Sequence, residues 1–127
     1  MVIHQSAEDY LESILALEER HGHGQVHSID IVNRLGFSKP SVSIAMKKLR
    51  ENGYIAMAGD SAITLTDKGM EIASKVYDRH KTLTKLFQCL GVSPGQAEVD
   101  ACKVEHDLSA ETYGKIVEFL QRAHTTQ

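Results

Sequence analysis

The stretch SIDIVNRLGFSKPSVSIAMKKLRENG, residues 28–53, decides the fold of this chain. Its first eight residues carry apolar side chains at helical spacing, and Gly36 then ends the helix. Ser38 is a natural N-cap, Pro40 fits the first turn of a second helix, and Asn52 marks its end. Two short helices joined by a tight glycine turn predict a helix-turn-helix.

The second helix of this motif has an apolar side for the core and a polar side for a partner. Its polar side carries small hydroxyl groups, first-turn N–H groups and lysines, which suit the base edges and phosphates of a DNA duplex. The residues that we expect to contact DNA are Ser38, Lys39, Pro40, Ser41, Ser43, Lys47 and Lys48.

Two strand-like runs follow at residues 54–58 and 61–66, and a turn at Gly59-Asp60 separates them. They predict a β-hairpin, and a hairpin directly after a helix-turn-helix is the wing of a winged helix. Together with an amphipathic helix at residues 6–20, which Ser6 is expected to cap, the pattern predicts a DNA-binding domain over residues 1–66. The alternative is a three-helix domain with an incidental hairpin and no affinity for DNA.

The charges of the chain are segregated although the net charge is only −3. Residues 34–85 carry a balance of +5, residues 1–33 carry −5 and residues 86–127 carry −3. A basic middle between acidic ends fits a nucleic-acid surface flanked by segments that attract cations.

The second half, residues 67–127, is predicted to be a helical domain, so the fold class is mainly α. A long helix begins after Thr66, and further helices follow the expected N-caps Ser93 and Ser109. The apolar faces of residues 83–90 and 113–120 remain after the winged helix has formed its own core. We therefore expect a homodimer through the C-terminal helices.

A metal half-site is predicted in DACKVEHD, residues 100–107. Cys102, Glu105 and His106 stand at i, i+3 and i+4, so on a helix they project from one side. Thiolate, carboxylate and imidazole are all metal ligands. In a reducing compartment Cys102 is favoured as a ligand over a disulfide with Cys89.

Several classes of protein find no support in the sequence. No apolar run approaches a membrane span, and residues 1–5 lack the features of a signal peptide, so a cytoplasmic location is expected. No motif indicates an enzyme. The histidines His21, His23 and His27 are expected in a solvated turn, and whether they bind metal stays open.

The motifs together resemble the diphtheria-toxin-repressor and manganese-transport-regulator family of metal-activated bacterial repressors. The resemblance spans nearly the whole chain. It is carried by residues 8–12, 39–43, 65–69, 79–80 and 101–109. It implies a dimer that binds a double-stranded operator and represses metal-uptake genes.

The resemblance also implies a metal-ligand set, which comprises Asp9, Glu12, His80, Cys102, Glu105 and His106. The set is a hybrid, because Asp9 and Glu12 resemble the manganese branch whereas a cysteine at position 102 resembles the iron branch. An ancillary site of the iron branch keeps His80, with Glu98 as a possible further ligand and Thr84 in place of a carboxylate.

The donor set favours Fe(II) narrowly over Mn(II), since a thiolate prefers Fe(II) or Zn(II) while carboxylates keep Mn(II) in contention. Zn(II) or Co(II) is expected to bind in vitro. A cation that joins ligands of the first helix to those of the later helices would fix the spacing of two DNA-binding heads. Two other hypotheses are a winged-helix regulator of an organic ligand and a metal-handling protein that ignores DNA.

Overall fold

The computed structural model describes residues 5–125. They divide into two compact units, with the boundary between Tyr77 and Asp78. The elements are α1 Gln5–His21, α2 Ser28–Leu35, α3 Lys39–Glu51, β1 Ile55–Met57, β2 Ile63–Leu65, α4 Asp67–Cys89, α5 Pro94–Val104 and α6 Ala110–Thr125. The predicted mainly helical class with an N-terminal winged helix-turn-helix is confirmed.

None of the described helices is long and apolar enough to cross a membrane. Residues 1–4, on which most of the signal-peptide expectation rests, lie outside the described residues.

The first unit is built around the apolar faces of α1, α2 and α3 and the inner side of the hairpin. The most deeply buried side chains contribute the bulk of its hydrophobic stabilisation, at about 25 cal/mol per Å² of apolar surface removed from water. They are Leu11, Ile14, Val26, Ile31, Val42, Met46 and Ile63. The helical spacing predicted for α3 is confirmed, because Val42, Met46 and Leu49 are its buried residues.

The turn between α2 and α3 follows the predicted capping chemistry. Gly36 adopts a left-handed conformation, with φ of 74°, and its N–H donates to the Val32 carbonyl at 2.9 Å. Ser38 is the N-cap of α3, and its hydroxyl accepts a hydrogen bond from the Ser41 N–H at 3.2 Å. These bonds satisfy helix-terminal groups that would otherwise lack partners, and they fix where α3 begins.

The wing is the antiparallel pair β1 and β2, in which Ile55 lies opposite Leu65 and Met57 opposite Ile63. The segment after α1 adds a bridge to its inner edge, because the Ile63 N–H donates to the Val26 carbonyl at 2.7 Å. The carboxylate of Glu18 on α1 accepts a further hydrogen bond from the Leu65 N–H. The wing is therefore attached to α1 on one side.

Glu18 is held in a site that favours its neutral form. Burial raises the pKa of its carboxyl group, while the nearby His23 and the Leu65 N–H oppose that shift. The Oε1 atom is buried with no hydrogen-bond donor among the described residues, and His23 Nδ1 lies 3.7 Å away. The side chain of Glu18 is 10% exposed and that of His23 is 79% exposed, so the histidine loop offers little compensation.

A second junction joins the end of α3, the start of the wing and the start of α4. The Thr66 hydroxyl donates to the Gly53 carbonyl at 2.6 Å and accepts from the Gly69 N–H at 3.2 Å. The Lys68 ammonium donates to the Asn52 carbonyl at 3.1 Å and lies 4.3 Å from the centroid of the Tyr54 ring. We call this set of contacts, within residues 52–69, the wing-base junction.

The second unit has a small core of its own. Leu83 of α4, Ala97 and Ala101 of α5 and Leu120 of α6 are buried. Other large apolar side chains stay exposed, namely Leu90 at 72%, Val99 at 49% and Phe119 at 52%.

Two local predictions were wrong, and a third was confirmed in position but not in its capping bond. Ser6 lies inside α1, which has already begun at Gln5, so it is not the N-cap of that helix. Ser93 is the N-cap of α5 as predicted, with an extended backbone, although its side chain makes no capping hydrogen bond. The helix that was expected to carry residues 100–107 ends at Val104.

Candidate metal centre and nucleic-acid interface

The C-terminal turn of α5 positions the predicted ligands of the second unit. Glu105 is the C-cap of α5 and keeps helical dihedral angles, with its N–H donating to the Ala101 carbonyl at 3.0 Å. The next bond tightens the chain, since the Asp107 N–H donates to the Val104 carbonyl at 3.0 Å. The side chain of Glu105 therefore keeps the direction that a continuing helix would give it, whereas His106 lies beyond the end of α5.

A buried carboxylate between two imidazoles is the centre of the site. Glu105 is 1% exposed. His80 Nδ1 of α4 lies 2.8 Å from Glu105 Oε2, and the two side chains share a hydrogen bond. His106 Nε2 lies 3.5 Å from Glu105 Oε1. The structure thus brings together three of the six predicted ligands within this unit.

Cys102 lies at the edge of the same cluster. Its sulfur is within 4.8 Å of a Glu105 carboxylate oxygen, and its side chain is exposed. Neither Cys89 nor Cys102 forms a disulfide, so no such bond competes for the Cys102 thiol. Glu98, the possible ancillary ligand, is exposed on α5, one turn before Cys102.

Arg79 supports the turn that carries Glu105 and His106, and sequence reasoning did not assign it this role. Its guanidinium donates to the Glu105 carbonyl at 3.2 Å and to the Leu108 carbonyl at 2.7 Å. It also lies over the Tyr113 ring, 5.0 Å from the ring centroid. Contacts of this kind to a ligand's backbone are one way in which proteins hold a metal site in shape. Only the Arg79-His80 pair in the sequence hinted at it.

The remaining predicted ligands lie in the first unit. Asp9 and Glu12 are one helical turn apart on α1 and share a side of that helix. Asp9 is half-buried and Glu12 is 6% exposed. A carboxylate as buried as Glu12 costs free energy unless a donor or a cation stabilises its charge.

The residues predicted to contact DNA all lie at the exposed start or on the outer side of α3. Ser38, Lys39, Pro40 and Ser41 form its first turn, and the Ser38 hydroxyl also donates to the Ser41 hydroxyl at 2.9 Å. All seven predicted residues are exposed, namely Ser38, Lys39, Pro40, Ser41, Ser43, Lys47 and Lys48. Their side chains therefore form one polar, basic surface.

The second unit's donor set fits a divalent transition metal. Glu105 Oε1 is buried and has no hydrogen-bond donor among the described residues, which leaves negative charge that a cation would stabilise. Two imidazoles and a thiol near that carboxylate supply nitrogen and sulfur ligands.

Comparisons with known proteins match one part of the chain to a DNA-binding domain and the other part to a metal-binding domain. Residues 3–63 match the model of the iron dependent repressor N-terminal DNA binding domain, and residues 66–127 match that of the iron dependent repressor metal binding and dimerisation domain.

Two curated relatives and one solved structure cover most of the chain. The uncharacterized HTH-type transcriptional regulator MJ0568 of Methanocaldococcus jannaschii is 36% identical over 93% of this chain and 94% of its own length. The transcriptional regulator MntR of Salmonella typhimurium is 34% identical over 94% of this chain and 74% of its own. A manganese-dependent transcriptional repressor solved with manganese is 29% identical with a TM-score of 0.78, over 91% of this chain. This chain spans about half (52%) of that solved chain.

Proposed function

Because this chain belongs to the iron-dependent-repressor family of metal-dependent transcriptional repressors, we propose that it represses metal-uptake genes when Fe(II) or Mn(II) is bound. Members of this family are transcriptional regulators and not enzymes. The proposed form is a homodimer bound to a double-stranded operator in the cytoplasm. Residues 1–66 are proposed to bind DNA, and residues 67–127 to bind metal and form the dimer.

The observation that carries this proposal is the cluster around Glu105. A carboxylate that is 1% exposed, with one oxygen lacking a hydrogen-bond donor among the described residues, is unfavourable without a positive charge nearby. His80 and His106 contact that carboxylate at 2.8 and 3.5 Å. A bound cation would neutralise the charge and take ligands from the same side chains.

The proposed ligands are those named from the sequence. His80, Glu105 and His106 form the centre of the set, and Cys102 adds a thiolate from its exposed position. Asp9 and Glu12 are proposed as further ligands on the sequence resemblance. The full set of six is therefore Asp9, Glu12, His80, Cys102, Glu105 and His106, with Glu98 as a possible ancillary ligand.

The identity of the metal depends on the balance between sulfur and oxygen donors. A thiolate at Cys102 favours Fe(II) or Zn(II), and carboxylates suit Mn(II), so Fe(II) is proposed as slightly preferred. The description of the solved repressor associates manganese with that protein. Zn(II) and Co(II) are proposed to bind in vitro.

Metal binding is proposed to act on DNA affinity through linkage. A cation that binds the DNA-competent arrangement more tightly than the alternatives shifts the population toward it, and by reciprocity DNA raises the affinity for the metal. The proposed contacts to the duplex are Ser38, Lys39, Pro40, Ser41, Ser43, Lys47 and Lys48, all exposed on or before α3. Dimerisation is proposed through the second unit, where Leu90, Val99 and Phe119 are exposed.

The proposal is tested by anaerobic titration of a fluorescent duplex from upstream of the protein's own gene and of duplexes selected from a random pool. Fe(II), Mn(II) and Zn(II) are added separately, with a chelator as the control. We expect tight binding only with metal. Binding that is equal in chelator would favour a winged-helix regulator of an organic ligand, and metal binding without any DNA binding would favour a metal-handling protein.

Two variants connect the site to the response. Glu105→Gln removes the central charge and should abolish metal-dependent DNA binding, whereas Glu111→Gln, an exposed change in the first turn of α6, should leave it intact. Cys102→Ala should remove the thiolate-to-metal charge-transfer absorption of the Co(II) protein. An unchanged Co(II) spectrum in that variant would exclude Cys102 from the ligand set.

A further inference from the structure

Ile44 is an apolar side chain on the outer side of α3. It is 57% exposed, the highest value among the large apolar side chains described in the first unit. The core side of the same helix is filled by Val42, Met46 and Leu49. Ile44 lies two positions after Val42 and two positions before Met46. Its side chain is therefore about 200° around the helix from theirs and points away from the core.

Toward α1, Ile44 borders a cavity that Ala7 and Tyr10 also line, and on its outward side its neighbours are polar and basic. Its neighbours three or four positions away on the helix surface include Ser41, Lys47 and Lys48, and all are exposed. Residues 38–50 contain lysines and an arginine but no acidic residue. A surface of this charge suits a polyanion and does not suit an apolar protein surface, so the occupant that fits Ile44 is the major groove of a duplex.

One apolar group is offered by the base edges of that groove. Thymine carries a C5-methyl group there, whereas the edges of the other three bases present only hydrogen-bond donors and acceptors. A β-branched side chain in a helix has one strongly preferred χ1 rotamer, so Ile44 gives up little conformational freedom on contact. A lysine or serine could not make the same apolar contact.

From these observations, and resting on the proposed DNA-binding function, we infer that Ile44 selects thymine in each operator half-site through contact with its methyl group. It is a specificity-determining residue, distinct from the hydroxyl and lysine side chains that position α3 on the duplex. Removing one such methyl group should weaken binding about fourfold in Kd, which corresponds to ~0.8 kcal/mol per buried carbon at ~1.4 kcal/mol per tenfold.

The test replaces thymine by deoxyuridine, which lacks only the methyl group. Duplexes are first selected from a random pool with metal-loaded protein. Each thymine of the selected half-site is then replaced in turn, and Kd is measured by fluorescence anisotropy for the wild-type chain and for Ile44→Ala. Ile44 is exposed, so its truncation should leave the fold intact. Ile29→Ala, which truncates another exposed isoleucine on α2, is the matched control.

We expect that one thymine in each half-site shows a fourfold penalty in the wild-type chain and in Ile29→Ala, and no penalty in Ile44→Ala. Equal deoxyuridine penalties in the wild-type chain and Ile44→Ala at every position would overturn the inference while leaving the proposed function standing. Failure of the metal-loaded wild-type chain to retain any duplex would overturn the proposed function and this inference with it.

Discussion

Arg79 provides the sharpest test of how the second unit holds its candidate ligands. Replacing it with alanine removes two hydrogen bonds to backbone carbonyls, one at Glu105 and one at Leu108, and the contact with the Tyr113 ring. Because these contacts hold the turn after α5, we expect both the stability of the chain and its affinity for metal to fall.

The magnitude follows from the contacts. Hydrogen bonds to a charged group contribute about 1.5–3 kcal/mol each, and a cation–π contact adds about 0.5–1 kcal/mol at an exposed site. Arg79 is half-buried, so water replaces part of this interaction when the side chain is removed. We therefore expect the free energy of unfolding to fall by about 2–4 kcal/mol. Removing a residue that holds a metal ligand in position typically lowers the affinity for the metal about 10–100-fold.

The assay has two readouts. Urea unfolding of the metal-free chain, followed by circular dichroism, gives the stability change, and competition against a metal indicator gives the affinity for Mn(II). Arg79→Lys keeps the charge but not the forked geometry, so it should lie between wild type and Arg79→Ala. Lys115→Ala removes an exposed ion pair with Glu118 and should change either quantity little. An Arg79→Ala chain that folds and binds Mn(II) within about twofold of wild type would refute the positioning role.

Two further predictions concern stability. Glu18→Gln should stabilise the chain at pH 7. Burial raises the pKa of the Glu18 carboxyl group, so the folded state binds its proton more tightly than the unfolded state does. The wild type therefore becomes less stable as the pH rises through that raised pKa, and the variant does not. The advantage of the variant should disappear below the ordinary pKa of 4.5, and thermal melts from about pH 4 to 8 that show a constant difference would contradict it. Gly69→Ala should lower the free energy of unfolding by about 2–3 kcal/mol, because its new Cβ would overlap the Tyr54 carbonyl oxygen. Gly114 has open space around it, so Gly114→Ala should stabilise α6 by about 0.5–1 kcal/mol. Equal effects of the two variants in chemical unfolding would contradict the packing argument.

The local elements of the first unit could be predicted because their signals are local. Gly36 and Ser38 set the turn of the helix-turn-helix, and the structure places both in the expected conformations. The hairpin also formed where strand-like residues flank Gly59 and Asp60. Propensity and capping act over a few residues, and the sequence displays them directly.

Contacts between distant parts of the chain could not be predicted in the same way. Nothing in the helical pattern of α1 indicated that Glu18 bonds to Leu65 of the wing. Arg79 reaches carbonyl groups 26 and 29 residues further along the chain. The end of α5 at Val104 was not predicted either, because the apolar spacing continues to Leu108 while the hydrogen bonding changes to a tight turn. Tertiary packing decides such features, and periodicity carries no information about it.

The wing-base junction has a consequence for how a DNA site is recognised. Thr66 and Lys68 bond to the carbonyls of Gly53 and Asn52, and the Cα of Gly69 packs against the backbone of Tyr54. The end of α3, the wing and the start of α4 are thereby joined into a stiff body. Such a body cannot shift to strengthen its interactions at one base pair when a base substitution weakens those at another. The free-energy penalties of base substitutions at separate positions within one half-site should therefore add, to within about 0.5 kcal/mol.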